Sequence, residues 1–225
     1  MLVSNKKLNS SGFTVVELLV AMTVGTFLML AFLSSSTTYF TTISRADALD
    51  QMTVTSQNLL RTMVENIRYG DGILLNNQIN DPNAPSGGWN TSNNNFVIIL
   101  AVPAIDINKN YIIDSSTGSP YMNELVYYKS SSSLMERTLA NTSASGNTLV
   151  TSCPPNLATN SCPADKTLAT YSTSMSFIMY DQNGIVTTTT SLARSIDITL
   201  TMQQEGTLYP LIYTNSMRVT LRNSF

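Results

Sequence analysis

The sequence predicts an α+β protein in which one long N-terminal helix packs on an antiparallel β-sheet. No proline occurs before Pro82, so no helix breaker interrupts the chain up to that point. From residue 73 onward, clusters of Asn, Ser, Thr, Gly and Pro separate short runs that are rich in β-branched and aromatic residues. No helical pattern alternates with these runs, which favours an antiparallel sheet over a parallel one.

The first part of the predicted helix is apolar. Residues 13–33 form an apolar run of 21 residues, close to the roughly 20 that a helix needs to cross a bilayer. Lys6 and Lys7 precede this run, and positive charge on that side favours a cytoplasmic N-terminus with the rest of the chain outside. We therefore expect residues 13–33 to span a membrane.

The second part of the helix is amphipathic. Over 34–68, apolar residues recur mostly at helical intervals and alternate with charged residues. The whole helix would be roughly 80 Å long at about 1.5 Å per residue, and Gly70–Gly72 marks its end. The remaining residues, 69–225, are expected to form a β-rich domain on which this half packs.

Several β-strands are predicted in that domain. Asn76–Asn95 is predicted to form a long loop. The SSSS segment at 130–133 and the DQNG segment at 181–184 are predicted to form hairpin turns. The predicted strands are Phe96–Val102, Glu124–Lys129, Leu134–Leu139, Thr148–Thr151, Met175–Tyr180, Ile185–Thr188, Ser195–Met202 and Met217–Leu221.

Composition argues against two classes of function. The net charge is −2 and the basic residues are scattered, so no basic stripe indicates a nucleic-acid partner. The sequence has no histidine, which removes Ser-His-Asp, Cys-His and HExxH sites. We therefore expect a protein that is not an enzyme.

The two cysteines are Cys153 and Cys162, in the segment SCPPNLATNSCP. Their spacing is too long for a C-x-x-C redox pair, and the chain has no further Cys or His to complete a zinc site. A small structural disulfide and two free thiols remain as alternatives. We predict the disulfide, which implies an oxidising, extracytoplasmic compartment.

One acidic residue interrupts the apolar run. Glu17 lies near its start, although charged side chains are costly within a bilayer and are rare there without a partner. Glu17 therefore needs a specific partner.

The stretch GFTVVELLVAM, Gly12 to Met22, resembles the type IV prepilin signature. That signature is a short basic leader ending in Gly, then Phe, then Glu as the fifth residue of the mature chain. The resemblance implies a type IV pilin-like fold and a leader at residues 1–12. It also implies that a prepilin peptidase cuts between Gly12 and Phe13 and methylates the new amine of Phe13.

Later segments resemble W-type minor pilins and J-type minor pseudopilins. They are LRTMVENIRYG at 60–70, the DINKN loop, the hairpin ELVYYKSSSSLMERTL at 124–139, and MRVTLRN at 217–223. The resemblance implies a minor pilin that primes or caps a type IV pilus. A minor pseudopilin of type II secretion and a pilus-tip adhesin are the alternatives.

The resemblance also implies partners and a location. The partners are major and minor pilins, the prepilin peptidase and an inner-membrane assembly platform. The protein would start in the bacterial inner membrane with a periplasmic domain, and then enter the pilus at the cell surface. Glu17 would pair with the Phe13 amine of a neighbouring subunit, or with Phe13 four residues earlier in its own helix.

One loop has the oxygen spacing of a calcium site. In DINKNYIID, Asp106, Asn108, Asn110 and Asp114 occupy positions 1, 3, 5 and 9 of such a loop. Tyr111 stands where the EF-hand has Gly, and a polar turn between strands is the alternative. We expect no other cofactor.

Overall fold

The computed structural model describes residues 14–170, 172–204 and 210–221. Its helix α1 is Val15–Tyr69, and two short 3-10 helices are Pro155–Leu157 and Thr190–Leu192. The strands are β1 Gly72–Leu74, β2 Val97–Pro103, β3 Met122–Ser130, β4 Ser133–Leu139, β5 Lys166–Ala169, β6 Ser172–Tyr180, β7 Val186–Thr187, β8 Ser195–Gln204 and β9 Leu211–Thr220.

The chain divides into two compact units, residues 1–47 and 48–225, with the boundary inside α1. In the first unit, the described residues form the start of α1, with mostly exposed side chains. Of the described helices, α1 alone is long and apolar enough to cross a membrane, with a mean hydropathy of 2.2 over its best window. The Thr23 and Thr26 hydroxyls donate to carbonyls one turn back, which satisfies them without water.

In the second unit, α1 packs through one apolar stripe. Its buried residues follow a spacing of three and four, which places them on one face of the helix. They are Met52, Ser56, Leu59, Leu60, Met63, Val64 and Ile67. The helix ends where predicted, because a Cβ at Gly70 would lie only 2.9 Å from the Ala101 carbonyl oxygen. Only glycine allows this close approach.

The strands form two antiparallel sheets. The first has the order β1-β2-β3-β4-β5 and the second the order β7-β6-β8-β9. One hydrophobic core contains the α1 stripe together with residues of both sheets. The predicted helix-on-antiparallel-sheet architecture is confirmed, with the strands divided between two sheets.

Both predicted hairpin turns are present. Ser130 pairs with Ser133 across the β3–β4 turn, where Ser131 has a φ of 54°. In the second turn, the Asp181 carboxylate accepts hydrogen bonds from the amides of Asn183 and Ile185. These side-chain bonds hold the turn closed.

The observed strands differ from the predicted ones in four places. Thr148–Thr151 is not a strand. The amide of Ala140 donates to the side-chain oxygen of Thr151, Oγ1, and not to a backbone carbonyl as it would in a sheet. The short strands β1 and β5 were missed. Strand β9 begins at Leu211 instead of Met217, since its polar residues 214–216 interrupt the apolar pattern.

A second hydrophobic cluster covers the other face of the first sheet. The loop 76–95 folds over this face and places Trp89, which is 6% exposed, next to Tyr128 with ring centroids 4.7 Å apart. The first sheet is therefore buried on both faces. The lone Trp anchors its own loop.

Candidate functional site

The start of α1 is closed by a reciprocal pair of side chains. The amide nitrogen and the hydroxyl of Thr14 both donate to Glu17 Oε2, each at 2.9 Å. In return, the amide of Glu17 donates to Thr14 Oγ1 at 3.3 Å. This is a capping box, which satisfies amide groups that the first turn of a helix leaves without partners.

Thr14 is therefore a partner of Glu17 that was not predicted from the sequence. The signal was present, since Thr-Val-Val-Glu fits the S/T-x-x-E pattern of a capping box. Phe13, the partner that was predicted, lies outside the described residues, as does the cleavage residue Gly12. Among the described residues no hydrogen bond uses Glu17 Oε1, so this oxygen remains available to a further donor.

An exposed apolar surface begins at Val15, beside Glu17, and continues along α1. Its large side chains are each about half exposed or more, which is far more contiguous apolar surface than a soluble monomer normally presents. They are Val15, Val16, Leu18, Leu19, Val20, Met22, Val24, Phe27, Leu28, Met29, Leu30, Phe32 and Leu33. Such a surface suits lipid or other apolar helices.

Residues 7–33 match a family model described as the prokaryotic N-terminal methylation motif. No match was found among curated proteins or among solved structures. The motif supports the type IV prepilin-like superfamily, whose members are pilin-like structural subunits and generally not enzymes. Together with the apolar part of α1, the motif supports membrane anchoring of the chain.

A second polar cluster lies inside the β-rich unit. Arg137 on β4 is 1% exposed and binds two carboxylates. Its Nη1 lies 2.8 Å from Asp81 Oδ2, and its Nη2 lies 2.7 Å from Asp165 Oδ2. Trp89 Nε1 also donates to Asp81 at 2.8 Å.

Further hydrogen bonds surround Asp165. Ser152 Oγ donates to its Oδ1 at 2.7 Å, and the Tyr128 hydroxyl donates to its Oδ2. Burial acts to raise the pKa of Asp165, but the hydrogen bonds from Arg137, Ser152 and Tyr128 and the Arg137 charge hold it below its ordinary value. We call Asp81, Trp89, Tyr128, Arg137, Ser152 and Asp165 the Arg137 network.

The Arg137 network is structural. A guanidinium that is 1% exposed is out of reach of a substrate. Asp81 lies in the 76–95 loop and Asp165 follows the cysteine segment, so the network ties both segments to the first sheet. Sequence reasoning missed it because its members are far apart in the chain.

The predicted disulfide joins Cys153 and Cys162, with a Cα–Cα distance of 5.6 Å. The loop that it closes leads directly to Asp165, whose amide donates to the Cys153 carbonyl at 2.8 Å. The disulfide therefore helps to position a carboxylate of the Arg137 network.

The structure arranges the predicted calcium ligands as a turn. Asp106 Oδ1 accepts the amides of Asn108 and Asn110 at 2.9 and 2.8 Å, and Asp114 Oδ1 accepts the amide of Ser116. Within residues 14–170, 172–204 and 210–221, no group of three or more His, Cys, Asp or Glu side chains could hold a metal. These contacts fit the polar turn, and calcium binding stays the alternative.

Proposed function

We propose that this chain is a minor pilin, a non-enzymatic subunit that primes or caps assembly of a type IV pilus. The observation that carries the proposal is the methylation motif at residues 7–33, which leads into a helix with an exposed apolar surface and Glu17 in its first turn. A helix with this surface needs lipid before assembly and apolar neighbours after it.

The proposal gives each segment a role. Residues 1–12 are the leader, 13–33 the membrane half of the helix, 34–68 its amphipathic half, and 69–225 the periplasmic domain. The N-terminus faces the cytoplasm, because Lys6 and Lys7 precede the apolar segment. The disulfide supports an oxidising compartment for the domain.

The proposed life cycle has two stages. A prepilin peptidase first removes the leader after Gly12 and methylates the amine of Phe13. An inner-membrane assembly platform then moves the subunit into a filament, where its helix packs against those of major and minor pilins. The Glu17 carboxylate pairs there with the Phe13 amine of a neighbouring subunit through the oxygen that Thr14 leaves available.

Two alternatives have different consequences. A minor pseudopilin of type II secretion would use the same helix and the same processing. A tip adhesin would need an exposed binding loop, but Trp89 is 6% exposed and its ring packs on Tyr128. The burial of this side chain favours the assembly role over adhesion through the Trp89 loop.

Mass spectrometry of the membrane-extracted protein tests the processing step. We expect the mature chain to begin at Phe13 with one added methyl group, and Gly12→Val to leave the leader in place. A chain that begins at Met1 in the wild type would contradict the proposal. Loss of pili on deletion of the gene, with few copies in sheared filaments, would separate a minor pilin from a major one.

A further inference from the structure

The four sheet edges in the described part of the chain are not alike. Strands β1, β5 and β7 are three, four and two residues long, as is usual for edges that must not attract other strands. Strand β7 pairs with only two residues of β6, and beyond it the Asn93 side chain bonds both the amide and the carbonyl of Phe177, which blocks that edge. Strand β9 is ten residues long and pairs with β8 over its whole length. No described strand pairs with its other side.

Two of the usual protections of an edge are missing from β9 between Leu211 and Thr220. It contains no proline and no bulge in its pairing with β8, although both features commonly block edge pairing. Its one charged residue, Arg218, stacks on Tyr180 at 3.9 Å and donates to Ser195 Oγ. These contacts direct Arg218 across the sheet and away from the free edge.

A groove of about 620 Å³ lies between β9 and the C-terminal part of α1. The lining residues are Gln57, Arg61, Val64, Glu65, Arg68, Asn215 and Met217. A long edge strand beside a helix is the geometry by which PDZ domains add a peptide as an extra strand. The groove therefore has the shape for an extended chain.

The charge of the groove defines what it accepts. Arg61 pairs with Glu65 at 3.2 Å, so these two charges offset each other. Arg68 is exposed and forms no ion pair with any described residue. Met217, which is 38% exposed, adds an apolar contact. The groove is thus apolar in part and carries one positive charge without a partner.

We propose that β9 and this groove bind an extended, acidic segment of another protein by strand addition. Backbone groups of the segment pair with the free edge of β9, and its carboxylates face Arg68. A second copy of the chain fits less well, because a twofold contact would bring two basic grooves together. The proposal goes beyond assembly through α1 and does not depend on it.

Hydrogen–deuterium exchange of the full chain in detergent micelles tests this site. The probe is a ten-residue peptide of alternating valine and glutamate, matched in length to β9. We expect it to slow exchange of β9 amides several-fold and to leave β1 and β5 unchanged. A peptide of alternating valine and lysine should have no such effect.

Matched variants on α1 test the charge. Arg68→Glu should weaken binding of the labelled acidic peptide, followed by fluorescence anisotropy, about tenfold or more, since an attraction becomes a repulsion. Gln57→Glu adds a negative charge to the groove and should also weaken binding of the acidic peptide. Arg45→Glu changes the same residue type on an exposed part of the helix outside the groove, and should have no effect.

Three results would overturn the proposal. One is the absence of β9 protection by the acidic peptide in a wild-type protein that is folded. Another is equal binding of the acidic and basic peptides. The third is protection of β9 that depends on protein concentration without any peptide, which would identify a second copy as the occupant.

Discussion

Arg137 and Asp165 form a bidentate ion pair in the protein interior. Arg137 Nη2 lies 2.7 Å from Asp165 Oδ2, and Arg137 Nε lies 3.1 Å from both carboxylate oxygens. A buried charge is stable only with a partner and hydrogen bonds, and here both residues have them. Asp81 on the other side of the guanidinium extends the pair. The folded positions of two loops therefore depend on a single arginine.

Arg137→Met should destabilise the protein by about 3–5 kcal/mol, because it leaves two buried carboxylates without their cation. Urea unfolding followed by Trp89 fluorescence measures this directly, since Trp89 belongs to the Arg137 network. The control is Arg61→Met, which removes an exposed pair on α1 and should cost no more than about 0.5 kcal/mol. Similar midpoints for both variants would contradict a structural role for the network.

The free energy of unfolding should depend on pH through the ionisation of Asp165. Its pKa in the folded protein lies below the ordinary value, so its stabilising effect is complete above about pH 5 and is lost as the pH falls below about 4. The difference in unfolding free energy between wild type and Asp165→Asn should therefore shrink on acidification through this range. A difference that stays constant from about pH 6 to about pH 3 would refute the lowered pKa.

The parts that could be predicted from the sequence are those with local signals. The helix, its glycine stop, the two turns and most strands each show a pattern within a few neighbouring residues. The Arg137 network has no such pattern, because Asp81 lies in the 76–95 loop and Asp165 follows a disulfide. Their approach to Arg137 is fixed by the tertiary fold.

Thr14 was missed as a partner of Glu17 for a different reason. Its capping signal was local and readable, but an acid within an apolar run was interpreted as a problem of membrane burial. The start of β9 was missed because a strand with one exposed face and a free edge tolerates polar residues such as Thr214 and Asn215.

The disulfide should contribute roughly 2–3 kcal/mol on the chain-entropy model for a loop of this length. Changing Cys153 and Cys162 together to Ser should lower the free energy of unfolding, measured by urea titration, by this amount. Thiol labelling of the denatured, non-reduced wild type should find no free cysteine. Two labelled cysteines in protein from the periplasm would contradict the disulfide and the compartment that it implies.

A polar turn and a calcium site at Asp106 predict opposite effects of calcium on the melting temperature. The Asp106 carboxylate already accepts two amides of its own loop, so we expect millimolar calcium to leave the melting temperature of the full chain unchanged. Asp106→Ala should lower that temperature with or without calcium. A rise with calcium that disappears in Asp106→Ala would instead establish a binding site, because a ligand of the folded state stabilises it by mass action.

Two substitutions separate the roles of Glu17. Gln at this position keeps the capping box with Thr14 but removes the charge, whereas Ala removes both. If the charge pairs with the Phe13 amine of a neighbour, Glu17→Gln and Glu17→Ala should both insert, lose their leader and form the disulfide, yet be depleted from filaments. The ratio of sheared-filament to membrane protein measures this depletion.

Thr14→Ala is the matched control, since it breaks the capping box from the other side and leaves the carboxylate in place. We expect Thr14→Ala to enter filaments, because the carboxylate that meets the neighbouring amine is retained. A Glu17→Gln protein that assembles normally, beside Glu17→Ala and Thr14→Ala proteins that do not, would assign Glu17 to helix capping alone. The axial position of this subunit in the filament would then have to be set by the apolar surface of α1.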